Sequence, residues 1–140
     1  MTMWILDTDH VSLYQGGHPL VIQRIDAVVP EEIAVTVVTF EEQMYGRLNR
    51  IRQAKSPDQL ILAYAKLRAT WDYFQTVNLL DFDREAYDCY ADLIRQRIRI
   101  GTQDLRIAAI ALSRNAILVT RNRQDFARVP DMRLDDWTIE

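Results

Sequence analysis

Met3-Trp4-Ile5-Leu6-Asp7 near the start of the chain and Ile33-Ala34-Val35-Thr36-Val37-Val38-Thr39 further on are the two runs that decide the fold. Both are short and apolar, the second is rich in β-branched side chains, and both stop at a polar residue, which is the pattern of a strand buried on both faces. Between them, Pro19 to Val29 carries Leu20, Val21, Ile25 and Val28 at helical spacing, and Pro30 closes the segment. Strand, helix, strand in that order predicts a parallel pair joined by a helical crossover.

Working outward, Thr39 to Ala54 and Pro57 to Phe74 are helical in pattern, with Ser56-Pro57 between them and proline at a first-turn position. Val77-Asn78-Leu79-Leu80 reads as a strand. Arg84 to Ile98 reads as an amphipathic helix with Ala86, Tyr90, Leu93 and Ile94 inward. Asp104 to Arg114 is a further helix, Ile117-Leu118-Val119 a final central strand, and Arg133 to Trp137 an edge strand. The alternation predicts an α/β sandwich: a mostly parallel sheet with helices on both faces.

A chain of 140 residues with 49% hydrophobic content can build one sizeable core, and with no repeat, low-complexity tract or flexible linker it reads as a single domain over 1–140. Lys and Arg number 17 against 20 Asp and Glu, a formal net charge of -3. This is not the strongly basic coat of a general nucleic-acid binder, so any phosphate-binding surface has to be local. The one cysteine, Cys89, falls in a helical stretch, where burial is expected; no intrachain disulfide is possible, which fits a reducing compartment. No stretch reads as a signal peptide or membrane span, so a soluble, cytoplasmic protein is expected.

Acidic residues fall where ligands of open parallel sheets gather, outside the carboxyl ends of the strands. Asp7 follows the first strand, Glu42 lies in the first turn after the second, Asp104 opens a later helix, and Asn122 and Asp125 follow Ile117-Leu118-Val119. Each also has an ordinary structural reading. Thr39-Phe40-Glu41-Glu42 matches a capping box, Asp9 suits the cap of the next helix, Asp104 complements a helix dipole, and Asn122 to Asp125 suits an Asx turn. Together, carboxylates brought to one place repel one another unless a cation sits among them. An oxygen-only set suits Mg²⁺ or Mn²⁺; zinc would want a cluster of His or Cys, and the chain has only His10, His18 and Cys89.

Four segments then resemble the successive signatures of VapC-type PIN domains: Leu6-Asp7-Thr8; Val38-Thr39-Phe40-Glu41-Glu42-Gln43-Met44-Tyr45-Gly46; Ile100-Gly101-Thr102-Gln103-Asp104-Leu105-Arg106-Ile107-Ala108-Ala109; and Val119-Thr120-Arg121-Asn122-Arg123-Gln124-Asp125-Phe126. The likeness runs from Met3 to about Trp137 and implies a PIN-like three-layer sandwich. It implies that Asp7, Glu42 and Asp104 hold Mg²⁺ or Mn²⁺, with Glu42 chosen over Glu41 by its distance to Gly46. Its fourth site position falls on Asn122, where many relatives carry an acid, so a second metal is not assured. Thr120 is expected to orient site groups, and Asp125 either to supplement the acids or to cap the helix before Phe126. Gln43 departs from the leucine usual in the family.

The activity implied is metal-dependent endonucleolytic hydrolysis of RNA by activated water, with Glu42 binding metal or orienting the water. Arg121 and Arg123, and the cluster Arg95, Arg97 and Arg99, are candidates for binding RNA phosphates, or solvated surface. Tyr14 and Tyr45 could stack bases, or pack. The resemblance also implies a homodimer and a cognate VapB-like antitoxin that blocks the site in a larger hetero-oligomer. The hairpin from Thr39 to Phe74 carries Met44, Leu48, Ile51, Leu60, Tyr64, Leu67, Trp71 and Phe74, either core or a groove for a partner helix.

Two other readings compete. Trp4-Ile5-Leu6-Asp7-Thr8-Asp9-His10-Val11 also resembles the aspartyl-phosphate loop of haloacid-dehalogenase-like phosphatases, with Asp7 as nucleophile, although the only lysines, Lys55 and Lys66, fall in the helical hairpin. A PIN fold retained only to bind RNA or antitoxin would keep the scaffold without cleavage.

Overall fold

The computed structural model describes residues 2–140. Its five strands are β1 (Trp4–Leu6), β2 (Ile33–Thr36), β3 (Leu79–Leu80), β4 (Ile117–Val119) and β5 (Arg133–Asp135), and they form one sheet in the order β3-β2-β1-β4-β5. Every pairing is parallel. The helices are α1 (Thr8–Gln15), α2 (Pro19–Asp26), α3 (Val37–Gln53), α4 (Pro57–Phe74), α5 (Arg84–Arg95), α6 (Thr102–Ser113) and α7 (Arg123–Phe126), with a 3-10 turn at Pro30–Glu32.

Alternation along the strands divides the core in two. Ile5, Ala34 and Leu118 face one side, where α5, α6 and α7 supply Leu93, Ile107, Ile110 and Phe126. Leu6, Val35 and Val119 face the other, where Val11, Val21, Phe74 and Trp137 cover them. This is the expected α/β sandwich, with the sheet wholly rather than mostly parallel. Helix α6 is buried almost all round, because Ile107-Ala108-Ala109-Ile110-Ala111 lets neighbouring backbones approach closely.

From β1 the chain steps outward to β2 and β3, then α5 and α6 carry it back to β4 on the other side of β1. The strand order therefore reverses between β1 and β4, and the carboxyl ends of that pair are the usual ligand position of open α/β sheets. Register brings Leu6 level with both Val35 and Val119, so the residues that follow, Asp7, Thr36 and Thr120, come side by side at this end of the sheet.

Several boundaries differ from the sequence expectation. Strand β2 ends at Thr36, and Val37 and Val38 already belong to α3. Thr36 is the cap, its Oγ1 accepting from Thr39 N at 3.2 Å, so the capping box on Thr39 and Glu42 does not form. Packing overrides strand preference here, since Val38 points into the core beside α6. Glu42 consequently sits in the second turn of α3. Residues 8–15, which show no clear apolar period, form α1, capped by Asp7 rather than Asp9.

Helix α2 stops at Asp26 rather than Val29, and α5 at Arg95 rather than Ile98. Arg97 takes φ 60 and Ile98 N donates to Leu93 O at 3.2 Å, a Schellman ending that folds Ile98 back onto the core. Ile94, expected inward, is 50% exposed. Cys89 is only partly buried. Among the described residues no helix is long and apolar enough to cross a membrane.

The surplus apolar side chains of the hairpin divide. Phe74 joins the core, whereas Leu48, Leu60, Tyr64 and Trp71 remain exposed, as do Ile61 and Leu62.

Candidate active site

Asp7 is set at the end of β1 by its own backbone, whose N–H donates to Val119 O at 3.0 Å across the switch point. Its carboxylate is buried, and Oδ1 caps α1 by accepting from His10 N at 2.7 Å. Glu42 reaches the same place from α3. Its Oε1 accepts from Thr8 Oγ1 at 2.6 Å, and Thr8 in turn meets Thr39 Oγ1 at 2.9 Å, so the first turns of α1 and α3 are joined by hydroxyls directly beside the acids.

Asp104 arrives on the first turn of α6. Burial, and then repulsion from Glu42, Asp7 and Asp125, push its carboxyl from the ordinary 3.8 up to about 6. That ordering locates the group: the acids of β1, α3, α6 and α7 share one field. Burial disfavours the Asp104 charge first, and the neighbouring carboxylates add to that with no compensating positive charge among the causes.

The segment after β4 supplies the fourth edge. Thr120 is fully buried, and its Oγ1 accepts from Asn122 N at 2.9 Å, which bends the chain into α7. Asn122 is the cap of α7: its Oδ1 accepts from Asp125 N at 3.4 Å while its Nδ2 donates to Asp125 Oδ2 at 3.0 Å. Asp125 therefore does not cap this helix. It lies in its first turn, tethered by Asn122, and adds charge to the field at Asp104.

Arg121 is already committed. It makes a two-pronged ion pair with Asp9, Nε to Oδ2 at 2.7 Å and Nη2 to Oδ1 at 2.9 Å, tying α1 to the segment after β4. Arg123 is exposed, with no ion pair among the described residues. Arg99 enters the neighbourhood through its backbone, whose carbonyl accepts from Arg128 Nη1 at 2.8 Å, and Arg95 pairs with Asp92. Arg97 and Arg99, just past the end of α5, are exposed and make no ion pair among the described residues.

Glu41 turns outward from Glu42 and accepts from Gln103 Nε2 at 2.9 Å. A groove of about 290 Å³ beside the acids is lined by Glu41, Glu42, Tyr45 and Gln103, and Tyr45 is 69% exposed there. Tyr14 instead packs on Tyr73 with ring centroids 6.0 Å apart. Gln43, buried, exchanges two amide hydrogen bonds with Gln15 at 2.9 and 3.0 Å and donates to Ser12 Oγ at 3.2 Å. Its polarity is thereby satisfied between α1 and α3.

Sequence reasoning passed over two residues here. Thr8 falls inside the first signature but receives no role, and only its hydrogen bond to Glu42 assigns one. His10 is fully buried with Nδ1 3.1 Å from Asp7 Oδ1 and Nε2 accepting from Trp137 N at 3.2 Å. The Asp-x-x-His spacing at a helix start is the signal that could have pointed to it, since Ncap and N3 side chains face each other.

Asp7, Asp9 and His10 place ligand atoms within 4.8 Å of one another. Both His10 nitrogens and both Asp9 oxygens are engaged by protein groups, so Asp7 is the member of that trio free to take a cation. The donor set open to a metal is then oxygen: Asp7, Glu42 and Asp104, with Asp125 and Asn122 at the edge. Excess negative charge and hard oxygen donors fit a divalent cation of the Mg²⁺ or Mn²⁺ kind.

The family model described as PIN domain matches residues 5–132. Ribonuclease VapC1 of Haemophilus influenzae (strain R2866) is 28% identical over 142 residues, spanning 97% of this chain and 98% of the relative. The tRNA(fMet)-specific endonuclease VapC of Salmonella typhimurium is 25% identical over 141 residues, spanning 98% and 99%. Among solved structures, VapBC-1 from nontypeable Haemophilus influenzae superposes with a TM-score of 0.78 at 26% identity, over 99% of this chain and 100% of that one. DNA-bound VapBC from Salmonella typhimurium gives 0.77 at 24% identity, over 98% and 99%. The dehalogenase-like reading of the first segment is set aside by this match, and the chain belongs to the PIN-domain family.

Proposed function

We propose that this protein is a metal-dependent endoribonuclease that hydrolyses RNA phosphodiester bonds, and that it is the toxin of a toxin–antitoxin pair restrained by a VapB-like antitoxin. The observation that carries the reading is the convergence of Asp7, Glu42, Asp104 and Asp125 at the β1/β4 switch point, with Asp104 pushed up to about 6. Relatives named as VapC ribonucleases across nearly the whole chain support it.

Asp7, Glu42 and Asp104 would hold Mg²⁺ or Mn²⁺. Bound there, a divalent cation acidifies water and neutralises the scissile phosphate. The remaining work falls to the protein. Thr8 holds the Glu42 carboxylate through Oε1, leaving Oε2 to bind metal or orient the attacking water. Thr120 and Asn122 hold Asp125 at the edge of the acids. Arg123, exposed beside them, offers a phosphate contact for the substrate strand. Tyr45, exposed above the groove, offers a face for a base.

The exposed Leu48, Leu60, Tyr64 and Trp71 suit an antitoxin helix laid along the hairpin. A homodimer is part of the same proposal, to be read from the mass of the purified chain.

The test is cleavage of total cellular RNA by purified protein with Mg²⁺ or Mn²⁺, beside an EDTA control and Asp104→Asn. Discrete fragments that vanish in both controls are expected. No cleavage, or cleavage indifferent to EDTA and to Asp104→Asn, would overturn the nuclease reading.

A further inference from the structure

His10 is the one buried imidazole in the chain, and no step assigned above uses it. It occupies the third helical position of α1, facing back to the cap residue Asp7. Asp7 Oδ1 receives two contacts from this single residue, the backbone N–H at 2.7 Å and ring Nδ1 at 3.1 Å. The far side of the ring meets Trp137 N at 3.2 Å.

A backbone N–H can only donate, so Nε2 must accept, and the ring's proton therefore sits on Nδ1 and points at Asp7. The carboxylate of Asp136 lies 3.7 Å from Nε2, beyond hydrogen-bonding distance, and does not compete with the amide. The anchor is firm: Trp137 is 1% exposed, packs at a tilt against Trp4 of β1 with ring centroids 5.5 Å apart, and donates from its indole Nε1 to Asp135 Oδ2 at 3.2 Å.

The consequence falls on Asp7 Oδ2. No protein donor among the described residues reaches it, and no side-chain oxygen there is both fully buried and unpartnered, so Oδ2 keeps solvent access and is the oxygen left for a ligand. With Oδ1 pinned twice, turning the carboxylate to offer its other oxygen would break both contacts.

We propose that His10 is a positioning residue: held by the Trp137 amide, its imidazole donates from Nδ1 to Asp7 Oδ1 and so aims Asp7 Oδ2 at the cation. This rests on the metal reading of the preceding subsection. It also couples the C-terminal segment to the site, since the tautomer is dictated by a backbone amide beyond the last strand. A partner that ligates metal is commonly oriented by such an outer hydrogen bond, and removing one costs about 10- to 100-fold in metal affinity.

Two measurements test it. The first is long-range ¹H–¹⁵N correlation of the His10 ring in the wild-type protein at pH 8, with and without Mg²⁺. A neutral ring protonated on Nδ1 in both states is expected. Protonation on Nε2, or loss of the Nδ1 proton when Mg²⁺ is added, would overturn the positioning role; the latter would make His10 a ligand itself.

The second is Mn²⁺ affinity by calorimetry for wild type, His10→Leu and His10→Asn, with thermal melts alongside. Asn places an N–H near the Nδ1 position and should bind Mn²⁺ within a few-fold of wild type, whereas Leu should lose about 10- to 100-fold. Equal affinities in wild type and His10→Leu, or equal losses in Leu and Asn, would overturn the proposal. Failure of the wild type to take up Mn²⁺ at all would instead overturn the metal site, and the proposal with it.

Discussion

Asp104→Asn should stabilise the metal-free protein while destroying its response to metal. Asp104 binds its proton more tightly folded than unfolded, its carboxyl rising from 3.8 to about 6 through burial and then the charges of Glu42, Asp7 and Asp125. The folded state therefore carries an extra proton between those two values, and stability falls as pH rises through that window. Below 3.8 the penalty is absent; above about 6 it is complete. A rise of about two pH units corresponds to about 3 kcal/mol for a fully buried group. Asp104 is partly exposed, so solvent reduces both the desolvation and the repulsion, and about 1 to 1.5 kcal/mol should survive.

Amide substitution keeps the shape and removes the charge. Urea denaturation in EDTA at pH 7.5 should show the Asp104→Asn variant more stable than wild type by that amount, a few degrees in Tm for a chain of this size. Repeating the measurement at pH 5 should close about half of the gap, and at pH 4 most of it. Adding Mn²⁺ at about 100 times its dissociation constant should reverse the order, because wild type alone gains about 2.7 kcal/mol from the ligand. A wild type equal to or more stable than Asp104→Asn in EDTA at pH 7.5, or a gap that does not narrow toward pH 4, would refute the argument that burial and the neighbouring carboxylates together disfavour the Asp104 charge.

Asp7→Asn and Glu42→Gln should each lower the rate of RNA cleavage by more than the 10- to 100-fold expected of an outer-layer change, whereas Thr8→Val, which only releases Glu42, should stay within about that range; single-turnover cleavage of one RNA resolves the three. Asn122→Ala should cost about 1 kcal/mol through loss of the α7 cap, while Asn122→Asp should keep the cap, lower stability in EDTA and tighten Mn²⁺, as denaturation and calorimetry can check. Arg123→Ala should reduce the slope of log RNA affinity against log salt by about one. Arg121→Ala should change that slope less, because Asp9 already neutralises this guanidinium.

Much of the scaffold is local in origin and therefore readable along the chain. Ile117-Leu118-Val119 is a strand at the expected boundaries, and Pro57–Phe74 a helix with its proline at the first turn, because an apolar run between breakers and an apolar period beside a cap leave few alternatives. The placement of Asp7, Glu42 and Asn122 at one end of the sheet was also legible, since parallel order puts the residues after β1, β2 and β4 there; Asp104, in the first turn of α6, follows none of these strands. Val37 and Val38 show where local preference loses: both favour a strand, yet Thr36 caps the helix and packing against α6 draws Val38 inward.

What only the tertiary structure decided is how the site groups pair. Asp125 bonds to Asn122 rather than capping a helix, Arg121 is spent on Asp9 across 112 positions, and Thr8 finds Glu42 across 34. His10 is the plainest case. Its sequence position allows a cap contact with Asp7, but which nitrogen carries the proton is set by the amide of Trp137, 127 residues away, and no periodicity or composition encodes that distance. Sequence therefore determined most of the strands and helices and the end of the sheet where Asp7, Glu42 and Asn122 fall; three-dimensional packing determined which oxygen of Asp7 and of Glu42 is engaged, because that depends on donors brought together from separate parts of the chain.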